Sequence, residues 1–204
     1  MNEQYRLKVS GVSDAETVKV WQQKGVDMFG LAFTKGSPDY VGMIPSRAGI
    51  IPDYSSLVNR ESPFTGLTLV GIFRDDMPQN IVTRVYNYPL DYIQLDGDES
   101  VIMIDNLRHT LVPDICPNIR IIKTLSVSCP DDVLRYKDYE GHVELFQFNI
   151  TGSAAGHDGE LPDWSLFDAY TGAEPFLVGG VTMDAVCRMT SPVHPRLIGF
   201  EVIR

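Results

Sequence analysis

Short apolar runs recur along the chain, separated by longer stretches whose apolar positions fall three and four residues apart. The runs at Arg6–Val9, Met28–Phe33, Thr68–Phe73, Tyr92–Leu95, Arg120–Leu125, Val143–Phe148, Phe176–Val178 and Leu197–Val202 read as eight strands. Most are continuous and rich in β-branched or aromatic residues rather than alternating, the pattern of parallel strands buried on both faces. Helix signals fall between them. Asp14 can cap a helix carrying Val18 and Trp21. Pro78 opens one with Ile81, Val82 and Val85 on one face, and Pro130 opens another. Asp163 caps a short helix beginning at Trp164, and a further one begins near Met183. The segment Ile44–Arg60 reads as a weaker helix, interrupted by Pro45, Gly49 and Pro52.

This alternation predicts an α/β fold with right-handed crossovers. Eight units favour a closed (β/α)₈ TIM barrel over a doubly wound open sheet. Only Ile203 and Arg204 follow the eighth strand, so the final helix is expected to be lacking and another element to cover that flank. No repeat, low-complexity tract or linker interrupts residues 1–204, which are expected to form one barrel domain. Any functional site should lie at the C-terminal ends of the strands.

Composition narrows the function. The formal net charge of −10 opposes binding to nucleic acid or to an anionic membrane surface, though a local pocket can still take a small anion. Cys116, Cys129 and Cys187 show neither CxxC nor metal-ligand spacing and read as free thiols of a reducing compartment. The N-terminus has no apolar signal region, and no run is long enough to span a bilayer, so a cytoplasmic protein is expected. His109, His142 and His194 have no ligand spacing; no metal and no cofactor are expected.

Seven strings then point to a family. They are Lys8-Val9-Ser10-Gly11; Gly30-Leu31-Ala32-Phe33 with Ser37-Pro38-Asp39-Tyr40-Val41; Val70-Gly71-Ile72-Phe73; Gln94-Leu95-Asp96-Gly97; Ile122-Lys123-Thr124; Gly156-x-x-Gly159 with Asp163-Trp164; and Phe176-Leu177-Val178-Gly179-Gly180. In order and spacing the chain resembles phosphoribosylanthranilate isomerase, a (β/α)₈ barrel of tryptophan biosynthesis. The resemblance implies an Amadori rearrangement of a phosphoribosylamine on anthranilate. That reaction needs an acid for the ring oxygen, a base for the adjacent carbon proton, donors for the phosphate and a cation for the carboxylate.

The resemblance also places substitutions. Ser10 stands at the family's cysteine base, Gln147 at its aspartic acid, and Asp39 at its arginine. A serine hydroxyl needs a neighbouring base, an amide has no proton to give, and a carboxylate repels a carboxylate. Asp96 replaces a histidine and Glu160 a loop lysine, which implies a pocket of inverted charge. The family's last phosphate turn falls on Glu201-Val202-Ile203-Arg204.

Each of these residues has a plainer reading. Gly179-Gly180 either holds a phosphate on backbone N–H groups or is a tight turn. Ser10 is a nucleophile or weak donor at the barrel mouth, or simply fills a cysteine's volume. Gln147 binds a ligand or is a satisfied interior amide. Asp39 and Asp96 are bases of altered chemistry or solvated loop acids, and Arg74-Asp75-Asp76 reads as a helix-entry cap. His157-Asp158 is an acid–base pair, a metal-binding pair or part of a surface loop. Three functions stay open: an active isomerase, an impaired relative that binds or assembles, or a different enzyme using Asp39, Asp96 or Asp158. The expected ligand is small and phosphorylated or sugar-like. A homodimer or protein partner is expected over the eighth-strand flank.

Overall fold

A computed structural model describes residues 5–12, 14–46, 49–52, 66–152, 163–189 and 193–203. Eight parallel strands close into a barrel: β1 (Arg6–Ser10), β2 (Met28–Ala32), β5 (Thr68–Phe73), β6 (Tyr92–Leu95), β7 (Arg120–Val127), β8 (Leu145–Ile150), β9 (Phe176–Val181) and β10 (Leu197–Val202). Each pairs with the next in this order, and β10 returns to β1 through Lys8 opposite Glu201. The helices are α1 (Ala15–Gln23), α2 (Pro78–Asn87), α3 (Val101–Leu111), α4 (Pro130–Val133) and α5 (Met183–Arg188), with 3₁₀ helices at Leu134–Asp138 and Trp164–Ala169.

The continuous runs are buried on both faces for two different reasons. Side chains facing outward, such as Phe29, Leu31, Phe73, Ile93, Phe146 and Phe148, join helix residues Val18, Ile81, Val85, Ile104 and Leu107 in the main core. Side chains facing inward, Met28, Val70, Ile72, Tyr92, Ile122, Leu145 and Leu177, form a separate apolar plug inside the barrel. The cap signals act where the sequence places them. Asp14 accepts from the Thr17 N–H at 2.8 Å, Pro78 opens α2, and Asp163 accepts from the Ser165 N–H at 3.1 Å.

Two expectations change. Part of the segment read as a weak helix is instead an antiparallel pair, β3 (Met43–Ser46) with β4 (Gly49–Pro52). A two-stranded ladder has free edges that tolerate the missing N–H groups of Pro45 and Pro52, and its isoleucines favour extended backbone. The rest of that segment, 53–60, lies outside the described residues. Helix α3 is not among the helices the sequence pattern predicts. Its signals are local: Ser100 accepts from the Met103 N–H at 3.3 Å, and Ile104, Leu107 and Leu111 make one buried stripe.

The flank of β10 is covered within the chain. Phe200 and Val202 are 0% and 2% exposed. Phe200 lies edge-on to Tyr5 at 5.2 Å and to Trp164 at 5.9 Å between ring centroids. The chain's own aromatics thus pack over this flank, as the element expected to cover it.

Candidate functional site at the strand ends

Inside the barrel, polarity changes along each strand with the two-residue period of a pleat. Tyr92 is followed two residues on by Gln94, Ile122 by Thr124, and Leu145 by Gln147. The apolar plug therefore gives way to a polar layer toward the C-terminal ends. Lys8, Gln94, Thr124 and Gln147 are all buried there. Buried polar groups persist only when hydrogen-bonded, and buried charges only when paired.

Gln94 Nε2 donates to Asp96 Oδ1 at 3.0 Å and to Thr124 Oγ1 at 3.1 Å, while Gln94 Oε1 has no partner among the described residues. The other part of the layer is satisfied around one ammonium group. Lys8 Nζ donates to Glu201 Oε1 at 2.6 Å, to Gln147 Oε1 at 3.0 Å and to Ser10 Oγ at 3.1 Å. These three acceptors use its three N–H bonds. The Ser10 hydroxyl donates to Glu201 Oε1. Gln147 Nε2 donates to Glu201 Oε2 and, at 2.9 Å, to Asn149 Oδ1. Ser10 and Gln147 are thus tied to the same lysine–glutamate pair. A Cβ at Gly30, which pairs with Ser10 across the sheet, would collide with the Ser10 hydroxyl, so glycine there keeps its room.

Above this layer opens a cavity of about 530 Å³, walled by the ends of β1, β2, β5 and β6. Ser10 and Gly11 form its floor. Thr34, Lys35, Gly36, Ser37 and Asp39 come from the segment after β2, Arg74 from the end of β5 and Asp96 from the end of β6. The structure brings Ser10, Asp39 and Asp96 together here. Gln147 is fully buried beneath, and Gly179-Gly180 are not on the cavity wall. Asp158 and Glu160 lie outside the described residues. Of the three positions behind the implied inversion of charge, the cavity wall holds Asp39 and Asp96. Lys35 and Arg74 accompany the two carboxylates, and Arg74 contacts Asp96 at 3.5 Å.

Two buried cations hold the cavity walls. Arg84 stacks over Phe33 at 4.5 Å and donates to the Tyr40 hydroxyl at 3.1 Å, anchoring the segment after β2 to α2. Lys123 Nζ donates to Glu99 Oε2 at 2.9 Å and to the carbonyls of Leu95 and Gly97. Glu99 in turn accepts from the N–H groups of Asp75 and Gly97 at 3.0 and 3.1 Å. Asp75, the one non-glycine with positive φ (49°) among the described residues, accepts from the Asp98 N–H at 2.7 Å. The loops bearing Arg74 and Asp96 are thereby stitched together. Asp76 bonds the Met77 N–H at 2.8 Å, at the entry to α2. Nearby, burial pushes the phenol of Tyr139 above its usual range, and burial does the same more strongly at Tyr170.

Gly179 and Gly180 belong to β9 rather than to a turn after it. Gly180 has φ 84° and is the extra residue where the β9–β10 register shifts between Glu201 and Val202. A bulge of this kind favours glycine. A Cβ on Gly179 would meet the Asn149 amide, with Glu201 Oε2 at 3.2 Å.

Sequence reasoning missed Lys8 with Glu201, and Lys123 with Glu99, as partners. The usable signal was a charge inside a run expected to be buried on both faces, since such a charge must find an opposite one. Among the described residues no group of three or more His, Cys, Asp and Glu side chains could hold a metal ion, and no helix is long and apolar enough to cross a membrane.

Fold and site together define a (β/α)₈ barrel protein with a polar strand-end cavity. Residues 7–202 match the family model for N-(5'-phosphoribosyl)anthranilate (PRA) isomerase, and the chain belongs to that family. It is 24% identical over 202 residues to the N-(5'-phosphoribosyl)anthranilate isomerase of Parabacteroides distasonis, covering 96% of this chain and 82% of that one. It is 31% identical to the Myxococcus xanthus enzyme over 86% of this chain and 74% of the relative. Solved structures agree in fold. The Thermotoga maritima phosphoribosyl anthranilate isomerase superposes with TM-score 0.67 at 21% identity, covering 97% of this chain and 87% of that one. Another, solved in complex with reduced 1-(o-carboxyphenylamino)-1-deoxyribulose 5-phosphate, superposes with TM-score 0.65 at 20% identity over 97% of this chain and 86% of the other.

Proposed function

We propose that this chain keeps the isomerase barrel of tryptophan biosynthesis as a single cytoplasmic domain that binds a ligand or assembles with a partner, with isomerase activity weak or lost. One observation carries the reading: Ser10 and Gln147, at the positions of base and acid, are both held by the Lys8–Glu201 pair. Ser10 has no unpaired base beside it, because the carboxylate it touches is already neutralised by Lys8. The Gln147 amide has no proton to deliver and is bonded at both ends. Loss of one acid or base typically removes about 10²–10⁴ in rate, and two such losses do not simply multiply. Asp39 at the arginine position further opposes an anthranilate carboxylate.

The mixed cavity suits a small polar, sugar-like or phosphorylated molecule, with Lys35 and Arg74 as the cations and Asp39 and Asp96 as acceptors for hydroxyls. Gly179-Gly180 remain a candidate phosphate site, but the carboxylate of Glu201 beside Gly179 makes Lys35 and Arg74 the better donors. Asp158 and Glu160 belong to the same reading as further pocket acids. The free thiols Cys116, Cys129 and Cys187 support the cytoplasmic placement.

A second reading has one observation in its favour. Glu201 touches both Ser10 and Gln147 and is 15% exposed, so it is a carboxylate placed where altered proton transfer could run. The deciding experiment is a phosphoribosylanthranilate turnover assay on the wild type, on Glu201→Gln, and on a Ser10→Cys, Asp39→Arg, Gln147→Asp triple variant. The expected result is no turnover by the wild type and a gain by the triple variant. Wild-type turnover at an ordinary enzymatic rate, about 1 s⁻¹ or more, would overturn the proposal. Its disappearance in Glu201→Gln would then establish the second reading.

A further inference from the structure

The opposite end of the barrel has its own cavity, of about 360 Å³, within the size range of small-molecule sites. Its walls are the first residues of the strands: Arg6 opens β1, Tyr92 opens β6, Arg120 opens β7 and Leu145 opens β8, with Pro175 and Ile198 completing the rim. Two guanidinium groups therefore converge at the N-terminal mouth of a chain whose formal net charge is −10.

Neither arginine is spent on a carboxylate among the described residues. Arg120 lies over the Tyr92 ring at 4.0 Å, a stacking that occupies the face of the guanidinium and leaves its N–H edge open. The one carboxylate on the wall, Glu144, is already used. One oxygen pairs with Arg108 and the other accepts the Ile121 N–H at 2.7 Å. Leu145, Pro175, Ile198 and the Tyr92 ring supply an apolar surface beside these cations. Unspent planar donors next to an apolar floor match a carboxylate carried on a hydrocarbon or aromatic body.

We infer that the N-terminal mouth of the barrel is a second binding site, for a small organic carboxylate with an apolar body. Arg6 and Arg120 hold the carboxylate, while Tyr92, Leu145 and Ile198 take the body. The site lies at the other end of the barrel from Ser10 and does not depend on the proposal above.

Benzoate is a suitable probe, titrated at low salt into the full chain and followed by NMR of the Leu145 and Ile198 methyl groups. Shifts at those methyls are expected, with affinity falling at least about tenfold in Arg6→Gln/Arg120→Gln. Both arginines are exposed, so the double variant should fold, and its unchanged spectrum away from the mouth checks this. Arg120→Lys should also weaken binding, because an ammonium loses the planar fork. Arg74→Gln, in the other cavity, should change nothing. Benzyl alcohol should bind more weakly than benzoate. Inorganic phosphate binding as tightly as benzoate would overturn the apolar-body assignment. No shift at these methyls up to about 10 mM benzoate, or shifts abolished by Arg74→Gln instead, would overturn the site.

Discussion

Lys8 and Lys123 share almost every property that a residue-by-residue description records. Each lies in an apolar strand, each is essentially inaccessible (0% and 1%), and each pairs with a glutamate. They differ in which side of the sheet they face. Lys8 points into the barrel, where Ser10 connects its network to the strand-end cavity and Glu201 keeps 15% of its side-chain surface. Lys123 alternates with the inward Ile122 and Thr124, so it points outward, with Tyr139 at 5.3 Å and Glu99 only 2% exposed. Burial and pairing mark both as indispensable to the fold. Access to the cavity marks only the first as part of a site. A buried ion pair is therefore not by itself a functional signal.

The largest effect should come from breaking the enclosed pair. Glu99→Ala leaves Lys123 uncompensated and removes the acceptor for the Asp75 and Gly97 N–H groups. Losing one partner of a buried pair costs about 3–5 kcal/mol. Urea denaturation should show this as a lower midpoint with an unchanged slope. A loss under 1 kcal/mol would mean that water reaches Lys123, and the contrast between the two lysines would collapse.

Lys8→Met should cost less, about 1–3 kcal/mol, although Lys8 is the more deeply buried ammonium. Its partner retains donors from Ser10 and Gln147 and a path to solvent, so the stranded carboxylate is partly compensated. The same denaturation series tests the order. If Lys8→Met proves more damaging than Glu99→Ala, access to the cavity does not relieve the unpaired charge. The Lys8 network would then belong to the core rather than the site.

The sequence disclosed these two lysines unequally, as it did the fold. The eight barrel strands were legible because burial on both faces leaves continuous apolar runs, and the caps at Asp14, Pro78 and Asp163 were legible because capping is local. The β3–β4 hairpin was not, because prolines spoil a helical pattern without announcing a ladder. The ends of β7 and β9 ran further than expected because strand pairing, not composition, carries Ser126-Val127, Gly179 and Val181 into the sheet. Ser10, Asp39 and Asp96 could be assigned to one mouth from their places at or after the ends of the first, second and fourth barrel strands. The bond between Lys8 and Glu201 could not. It spans 193 positions and exists only because β10 closes onto β1. Lys123 and Glu99 lie 24 apart, but their meeting depends on Glu99 turning back beneath its own loop.

A third pair extends the comparison to its weak limit. Arg74 and Asp96 meet at 3.5 Å on the cavity wall, with 59% and 18% of their side chains exposed. Exposed pairs contribute about 0–1 kcal/mol and are screened by salt. Asp96→Asn should therefore move stability by no more than about 0.5 kcal/mol, and the shift should vanish at high ionic strength. This weakness is what a binding site requires, since a guanidinium held so loosely can leave its carboxylate for a ligand at little cost. On the proposed reading Arg74 is the cation that an incoming anion would recruit, while Lys8, beneath it, is held by three acceptors. A destabilisation above 1 kcal/mol in Asp96→Asn would place the Arg74–Asp96 contact among the pairs that hold the loops. That would remove Arg74 from the ligand-binding set and leave Lys35 as the cavity's remaining cation.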